Sequence, residues 1–306
     1  MTEATSPDSP ELAGLRRQID AIDDKIVDLL IERTGVVSQV GGLKNRAAPG
    51  VCPIRPGREA DMVRRIMQKF DGAAFPPAAA AALWRIVIGA STSVESALTV
   101  SVLAADGDHD LFWLAHEYFG PAAQISRQPQ VKRVIGDVMD GKASVGIVPP
   151  LRRLDATADW WTSLLGSGKG MPKIFARLPF VYPEPPGQGA PMALAIARIA
   201  PEASGDDVSF VVLETGPNVS QSRLQTAFAT ARLEANWINI ATLHPDSRHH
   251  LVEVKGFLTP ENDGLNPLTT ALGDSLIKVS LLGNYAAPVM LTPKRKQPYA
   301  APSSAA

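Results

Sequence analysis

Apolar residues recur near the start of the chain at Leu12, Leu15, Ile19, Ile22, Ile26, Leu29, Val36, Val40 and Leu43. The steps alternate between three and four, so these positions share one face of a single long helix. Arg33 fills the one missing rung. A guanidinium set into an apolar stripe is costly unless an anion or acceptor meets it. Lys44 lies three turns further on, close to the same face. A long helix with two inward cations points to a helical bundle holding a small anion.

Local signals bound the helices of that bundle. Ser9 reads as an N-cap, Pro10 as the first helical residue and Glu11 as a charge suited to the positive end. The first helix is predicted to reach about Arg46, roughly 55 Å at 1.5 Å per residue, and Pro49-Gly50 should break it. Pro56 opens a second helix with Met62, Val63, Ile66, Met67 and Phe70 on its apolar face. Gly72 and Pro76-Pro77 end it. A third helix, from about Ala78 to Leu98, carries the stripe Trp84, Ile88, Ser91 and Glu95. The last two are polar residues continuing an apolar face, which again implies a polar pocket.

From Thr99 the period changes. Strands at Thr99–Ala104, Ala123–Ser126 and Ser144–Val148 alternate with helices at Leu111–Phe119 and Gln130–Asp140, predicting an α/β lobe with a largely parallel sheet. Residues 150–190 carry no legible pattern, and Met192–Ile199 reads as one more strand. The next segment reads β-α-β-β-α-β, the ferredoxin-like order. The expected organisation is multidomain. An all-α unit spans 9–98, an α/β region 99–206 and a ferredoxin-like α+β domain 207–292, with a disordered tail at 293–306.

Charge and cysteine usage exclude several functions. With 30 basic and 31 acidic residues and a net charge of −1, the chain has no basic field to hold nucleic acid. Cys52 is the only cysteine, which rules out an internal disulfide and a cysteine-rich metal site. His244, His249 and His250 read as surface or core rather than a metal site, and Trp160-Trp161 likewise. No metal or cofactor is expected. The polar N-terminus lacks a secretory core, and no uninterrupted apolar run approaches bilayer length. A cytoplasmic protein without a membrane partner is the expectation.

The segments Leu15-Arg16-Arg17-Gln18-Ile19-Asp20-Ala21-Ile22-Asp23, Leu29-Leu30-Ile31-Glu32-Arg33, Val40-Gly41-Gly42-Leu43-Lys44 and Arg58-Glu59 together resemble the all-helical chorismate mutase family. The resemblance implies a domain-swapped dimer of three-helix protomers that converts chorismate to prephenate by a cofactor-free pericyclic rearrangement. It implies substrate-binding roles for Arg16, Arg33, Lys44, Arg58, Glu59, Ser91 and Glu95. Arg16 would cross into the partner's pocket to hold a carboxylate. Arg33 would bind a carboxylate within its own chain. Lys44 would meet a carboxylate and the ether oxygen, with Arg58 adding positive charge nearby. Glu59 would accept from the ring hydroxyl, and Ser91 would lie near a carboxylate. Glu95 would sit beside the breaking ether bond, where many members have Gln. Arg55 stands where a common member has Asp, a position that acts largely through its backbone N–H.

The chemistry matches that inventory. Chorismate is a dianion that must be held in a compact shape while an ether bond breaks, with no nucleophile required. Guanidinium forks suit carboxylates, and an ammonium suits the negative charge developing on one ether oxygen. Only a protonated Glu95 can donate to that oxygen, so activity should fall as pH rises and Glu95→Gln should flatten the profile. Arg16 and Arg33 lie roughly 25 Å apart along a straight helix. They cannot serve one small ligand unless Arg16 comes from a second, antiparallel chain, and the apolar stripe suits such a homodimer.

The rest of the chain resembles, in degraded form, the dehydratase and regulatory (ACT) regions of bifunctional chorismate mutase–prephenate dehydratases. Ala115–Gly120 and Val145-Gly146-Ile147-Val148-Pro149 follow the family's first lobe. Leu276-Ile277-Lys278-Val279-Ser280-Leu281-Leu282-Gly283-Asn284-Tyr285 follows the closing ACT strand. The Gly-Pro-x-Gly-Thr-Phe-Ser motif is missing around Ala105–Asp110. Leu151-Arg152-Arg153 replaces Glu-Asn-Ser, Pro191-Met192-Ala193 stands at the Thr-Arg-Phe position, and Asp155–Ala190 is too short for the second lobe. No Glu-Ser-Arg-Pro effector motif lies near His244-Pro245, so weak phenylalanine binding is expected. The reading is a chorismate mutase whose dehydratase activity is lost. The alternatives are a bifunctional enzyme or a non-catalytic regulatory protein. A lyase acting on isochorismate could share the helices but fits the long C-terminal region poorly.

Overall fold

The structure is a computed structural model that describes residues 9–47, 52–104, 110–151, 159–166, 168, 170–182, 190–260 and 263–291. The expected break at Pro49-Gly50, the motif gap at 105–109, Arg152-Arg153 and the tail at 293–306 lie outside these residues.

Three helices come first: α1 (Pro10–Ala47), α2 (Pro56–Lys69) and α3 (Pro77–Glu95). Ser9 caps α1 as its sequence implies, its Oγ accepting the Leu12 N–H at 3.2 Å. The heptad stripe of α1 lies largely in solvent, with Ile22 55% and Leu29 63% exposed. Within the chain α1 packs chiefly on α3. Gly41 permits that approach, since a Cβ there would lie 3.2 Å from the Glu95 Cα. Among the described residues, α3 is the one helix long and apolar enough to cross a membrane. It is instead packed against α1, α2 and α4 (Asp110–Phe119), and it carries the buried Arg85.

The strands are β1 (Thr99–Leu103), β2 (Gln124–Gln128), β3 (Val145–Val148), β4 (Lys173–Leu178), β5 (Val181–Tyr182) and β6 (Ala193–Ala197). They continue as β7 (Asp207–Thr215), β8 (Ala235–His244), β9 (Ser247–Lys255), β10 (Leu276–Ala286) and β11 (Val289–Met290). The remaining helices are α5 (Val131–Met139), α6 (Gln221–Thr230) and α7 (Asn266–Leu272). Nine strands form one sheet in the order β2-β1-β3-β6-β4-β10-β7-β9-β8.

This topology alters two expectations. The first lobe is mixed rather than largely parallel: β1 pairs parallel with β2 and β3, but β6 runs antiparallel to both β3 and β4. The β7-α6-β8-β9-α7-β10 unit has the ferredoxin-like order, all antiparallel, yet it does not stand apart. Its β10 pairs parallel with β4 at Gly283↔Ile174, fusing the regions assigned to 99–206 and 207–292 into one sheet. Gly283 makes the seam possible. Its φ is +145°, and a Cβ would fall 2.0 Å from the Ile174 carbonyl oxygen.

Within residues 150–190, unreadable in sequence, the described residues supply β4, β5 and a 3-10 turn at Trp160–Leu164. That turn buries both tryptophans. The cores are continuous: Val63 and Ile88 of the helices share one cluster with Val100, Phe119 and Phe180. Arg64 of α2 adds a polar clamp, donating to the carbonyls of Ser204, Asp206 and Ala287 at 2.9–3.0 Å.

Candidate functional site

A cleft of about 600 Å³ opens between α1, α2 and α3. Arg33, Lys44, Arg58, Glu59, Ser91 and Glu95 all line it. Six of the seven residues singled out from sequence therefore meet at one place. Arg16, the seventh, lies outside the cleft, more than four turns up α1 from Arg33.

The α1 cations reach α3. Arg33 Nη1 donates to the Ser91 hydroxyl, which itself donates to the Val87 carbonyl one turn back. The Lys44 ammonium donates to Glu95 Oε2 at 2.6 Å. Glu95 thus faces an ammonium rather than a purely apolar wall. The two pairs stand one helical turn apart on α3 and two polar rungs face the cleft.

The α2 end is organised differently. Pro56 starts the helix without a side-chain cap, so Glu59 reaches back and accepts the Arg55 N–H at 3.2 Å. Glu59 Oε2 also accepts from Arg85 Nη1 at 3.2 Å, and both side chains are buried. Burial pushes the Glu59 carboxyl above the usual range, with the Arg85 charge and the Arg55 N–H opposing that rise. Arg58 is exposed at the rim.

Two participants escaped the sequence reading. Arg85 was one, although a lone cation inside the apolar run Leu83-Trp84-Arg85-Ile86-Val87 was a usable signal of the kind Arg33 gave. Its guanidinium carbon lies 4.1 Å from the Tyr118 ring centre and 5.1 Å from that of Phe180. Glu202, in the loop after β6, was the other. It accepts from the Arg55 guanidinium and, at 3.4 Å, from the Arg58 N–H. Burial pushes the Glu202 carboxyl up, but these hydrogen bonds outweigh it and hold it below the ordinary value. The sheet region thereby grips the helix end that presents Arg58 and Glu59.

Among the described residues no group of His, Cys, Asp and Glu could hold a metal ion. His244 is exposed, whereas His249 and His250 are buried. The His250 ring, taken out of water and set beside Arg248, has its pKa lowered to about 4, and its Nε2 lies 3.1 Å from the Thr215 hydroxyl.

Residues 15–96 match the family described as chorismate mutase type II. The bifunctional chorismate mutase/prephenate dehydratase of Aquifex aeolicus is 29% identical over 153 residues, covering 49% of this chain and 41% of that protein. Its namesake in Pseudomonas aeruginosa is 29% identical over 145 residues, covering 46% and 39%. The matched stretches thus span about two-fifths of these relatives. Among solved structures, a prephenate dehydratase from Streptococcus mutans superposes with a TM-score of 0.45 at 14% identity, covering 63% of this chain and all of that one. A chain described as a quorum-quenching acylase gives 0.48 at 13% identity, covering 62% and 95%.

Proposed function

We propose that the helical unit is a chorismate mutase, acting in the cytoplasm as a homodimer built on α1. The observation that carries this reading is the convergence of Arg33, Lys44, Arg58, Ser91 and Glu95 on one cleft, inside the residues that match the chorismate mutase type II family. The four cations that line the cavity, Arg33, Lys44, Arg55 and Arg58, suit a small dianion, and α3 holds Arg33 and Lys44 in place.

In this reading Arg33 and a partner copy's arginine at position 16 clamp the two carboxylates and fold the substrate into its reactive shape. The charge-assisted fork contacts supply orientation. The Lys44 ammonium has three donors, enough to keep Glu95 while meeting the ether oxygen as charge develops there. Glu59, fixed by Arg85 and the Arg55 N–H, accepts from the ring hydroxyl. No group of the protein forms a bond to substrate, so preorganised charge must account for the rate. The exposed stripe of α1 supports the dimer, because it leaves Leu29 and Ile22 in water in a single chain.

We further propose that the sheet region does not dehydrate prephenate, because its motif positions and second lobe are missing from the sequence. One observation favours the bifunctional alternative: the 153 residues matched in Aquifex aeolicus outrun the 82 of the helical match, counted from 15 to 96. Supplying chorismate and identifying the products at neutral pH decides between them. Prephenate alone supports the mutase reading. Enzyme-dependent phenylpyruvate would establish the bifunctional one, and intact chorismate would overturn both.

A further inference from the structure

α2 begins without a cap of its own. Pro56 has no N–H to satisfy, and the Arg55 side chain does not turn back onto the helix. Helix geometry leaves the Gly57 and Arg58 N–H groups without partners inside α2. They meet Glu202, which lies 144 residues beyond Arg58 in the loop between β6 and β7. Its Oε2 accepts from the Arg58 N–H at 3.4 Å. Its Oε1 accepts from the Arg55 guanidinium, from Nε at 2.9 Å and from Nη2 as well. Burial alone would raise the Glu202 carboxyl, yet the Arg55 side chain and the Arg58 and Gly57 N–H groups together hold it below its usual range. A carboxylate at this end of a helix also faces the positive pole of the helix dipole.

The loop that carries Glu202 is firmly built. The buried Asp207 carboxylate ties it together, accepting from the Ser204 N–H at 2.9 Å, the Ser204 hydroxyl at 2.6 Å and the Gly205 N–H at 3.1 Å. Arg64, two turns along α2 from Gly57, grips the same loop at Ser204 and Asp206. Gly57 lets loop and helix meet. A Cβ there would fall 2.3 Å from the Ala203 carbonyl oxygen and 2.8 Å from the Glu202 Cγ. The Arg55 side chain is 54% exposed, so its ion pair with Glu202 adds little energy by itself. The weight of the contact falls on the backbone of the first turn.

We propose that Glu202 is a positioning residue for the cleft, capping α2 from the sheet region so that Arg58 and Glu59 are held toward the substrate. Arg55, Arg58 and Glu59 all line the cleft, and all three lie in or beside the turn that Glu202 holds. The sheet region thus supplies the cleft with a group that touches no substrate. The kinetic part of the proposal rests on the mutase reading; the cap itself does not. Under that reading Glu59 accepts from a ring hydroxyl that neither forms nor breaks a bond. A contact made equally in the ground and transition states sets KM and leaves kcat alone. Arg33 and Lys44 stand on α1 and are held by α3, so the groups that act on the ether bond do not depend on Glu202.

Steady-state kinetics of the full chain with chorismate test the role, together with hydrogen exchange of the peptide spanning the first turn of α2, read by mass spectrometry. Glu202→Ala should raise KM about tenfold and leave kcat within about twofold. A merely structural role would lower the folded fraction, and with it the apparent kcat, at constant KM. Glu202→Gln keeps an acceptor but loses the charge. It should raise KM by about threefold and carries the test if the alanine variant does not fold. Gly57→Ala drives the loop off the helix without altering a cleft side chain, and should also raise KM. The first-turn peptide should exchange faster in Glu202→Ala than in wild type. A wild-type KM in Glu202→Gln or in Gly57→Ala, or a fall in kcat at constant KM, would overturn the proposal. The two readings fail separately. Chorismate left intact by wild type, with exchange quickened in the variant, rejects the mutase reading while the cap stands. Wild-type turnover with KM unmoved in the variants rejects the positioning role alone.

Discussion

The helical unit and the sheet solve opposite problems. The sheet buries its middle: β6 is buried along its whole length, and the strands beside it carry apolar side chains into the cores on either face. The helical unit leaves the stripe of α1 in solvent and sets charge among its buried apolar residues, with Arg85 and Glu59 inside and Arg33 and Lys44 on the cleft. A filled apolar core gives stability and little chemistry. An incomplete core with fixed cations gives chemistry and depends on what completes it. The two regions are coupled where Arg64, Arg55 and Arg85 reach out of the helices to Ser204, Glu202 and Phe180.

The largest effects should come from the cleft. Arg33→Ala or Lys44→Ala is expected to lower chorismate turnover by about 10³-fold or more, since each removes a preorganised charge, with thermal stability little changed. Arg16→Ala should be as damaging although Arg16 lies outside the cleft. Mixing the Arg16→Ala and Arg33→Ala proteins under verified subunit exchange should restore part of the activity, because some mixed dimers hold one intact site. Failure of that rescue, with exchange verified, would show that the two arginines do not act across the interface.

Gly283→Ala should do the converse. The strained φ and the approach to Ile174 set a cost on the order of 3 kcal/mol or more, read as a lower urea midpoint. If turnover per folded molecule holds while the midpoint falls, seam and cleft are separable.

The sheet also has its own pH response. His250 has a folded pKa of about 4, below its unfolded value, so the fold favours the neutral ring. That contribution is whole above about pH 6.5 and drains away as pH falls through 4, reaching on the order of 3 kcal/mol. The gap in melting temperature between wild type and His250→Asn should narrow or reverse across that window. A constant gap would mean the buried ring does not resist protonation.

The smallest effect is expected at Glu95. Glu95→Gln keeps a donor beside the ether oxygen at every pH and releases Lys44 from its ion pair. The variant should retain activity, and the fall in rate as pH rises should flatten. An inactive variant, or an unchanged profile, would remove Glu95 from the proposed role.

The helices were legible in sequence because their signals are local: Ser9 caps what it precedes and Pro56 opens the helix it begins, while Pro77, read as a breaker, is the first residue of α3. The cleft residues were legible because polar groups interrupted otherwise apolar faces. The seam was not. Gly283 answers to Ile174, more than a hundred residues earlier, and the bulge at Leu281/Gly283 breaks the two-residue period there. Arg85 carried a local signal, but its ring partner Phe180 lies between β4 and β5, which pair with β10 and β11 more than a hundred residues along the chain.

The place of β10 has a consequence for how the protein is made. It is sixth across the sheet yet last of the nine strands in chain order. A chain growing from its N-terminus presents the edges of β4 and β7 before the strand that fills the gap between them exists. Unpaired edges invite pairing with other chains, so during synthesis the most exposed part of this protein is the middle of its sheet.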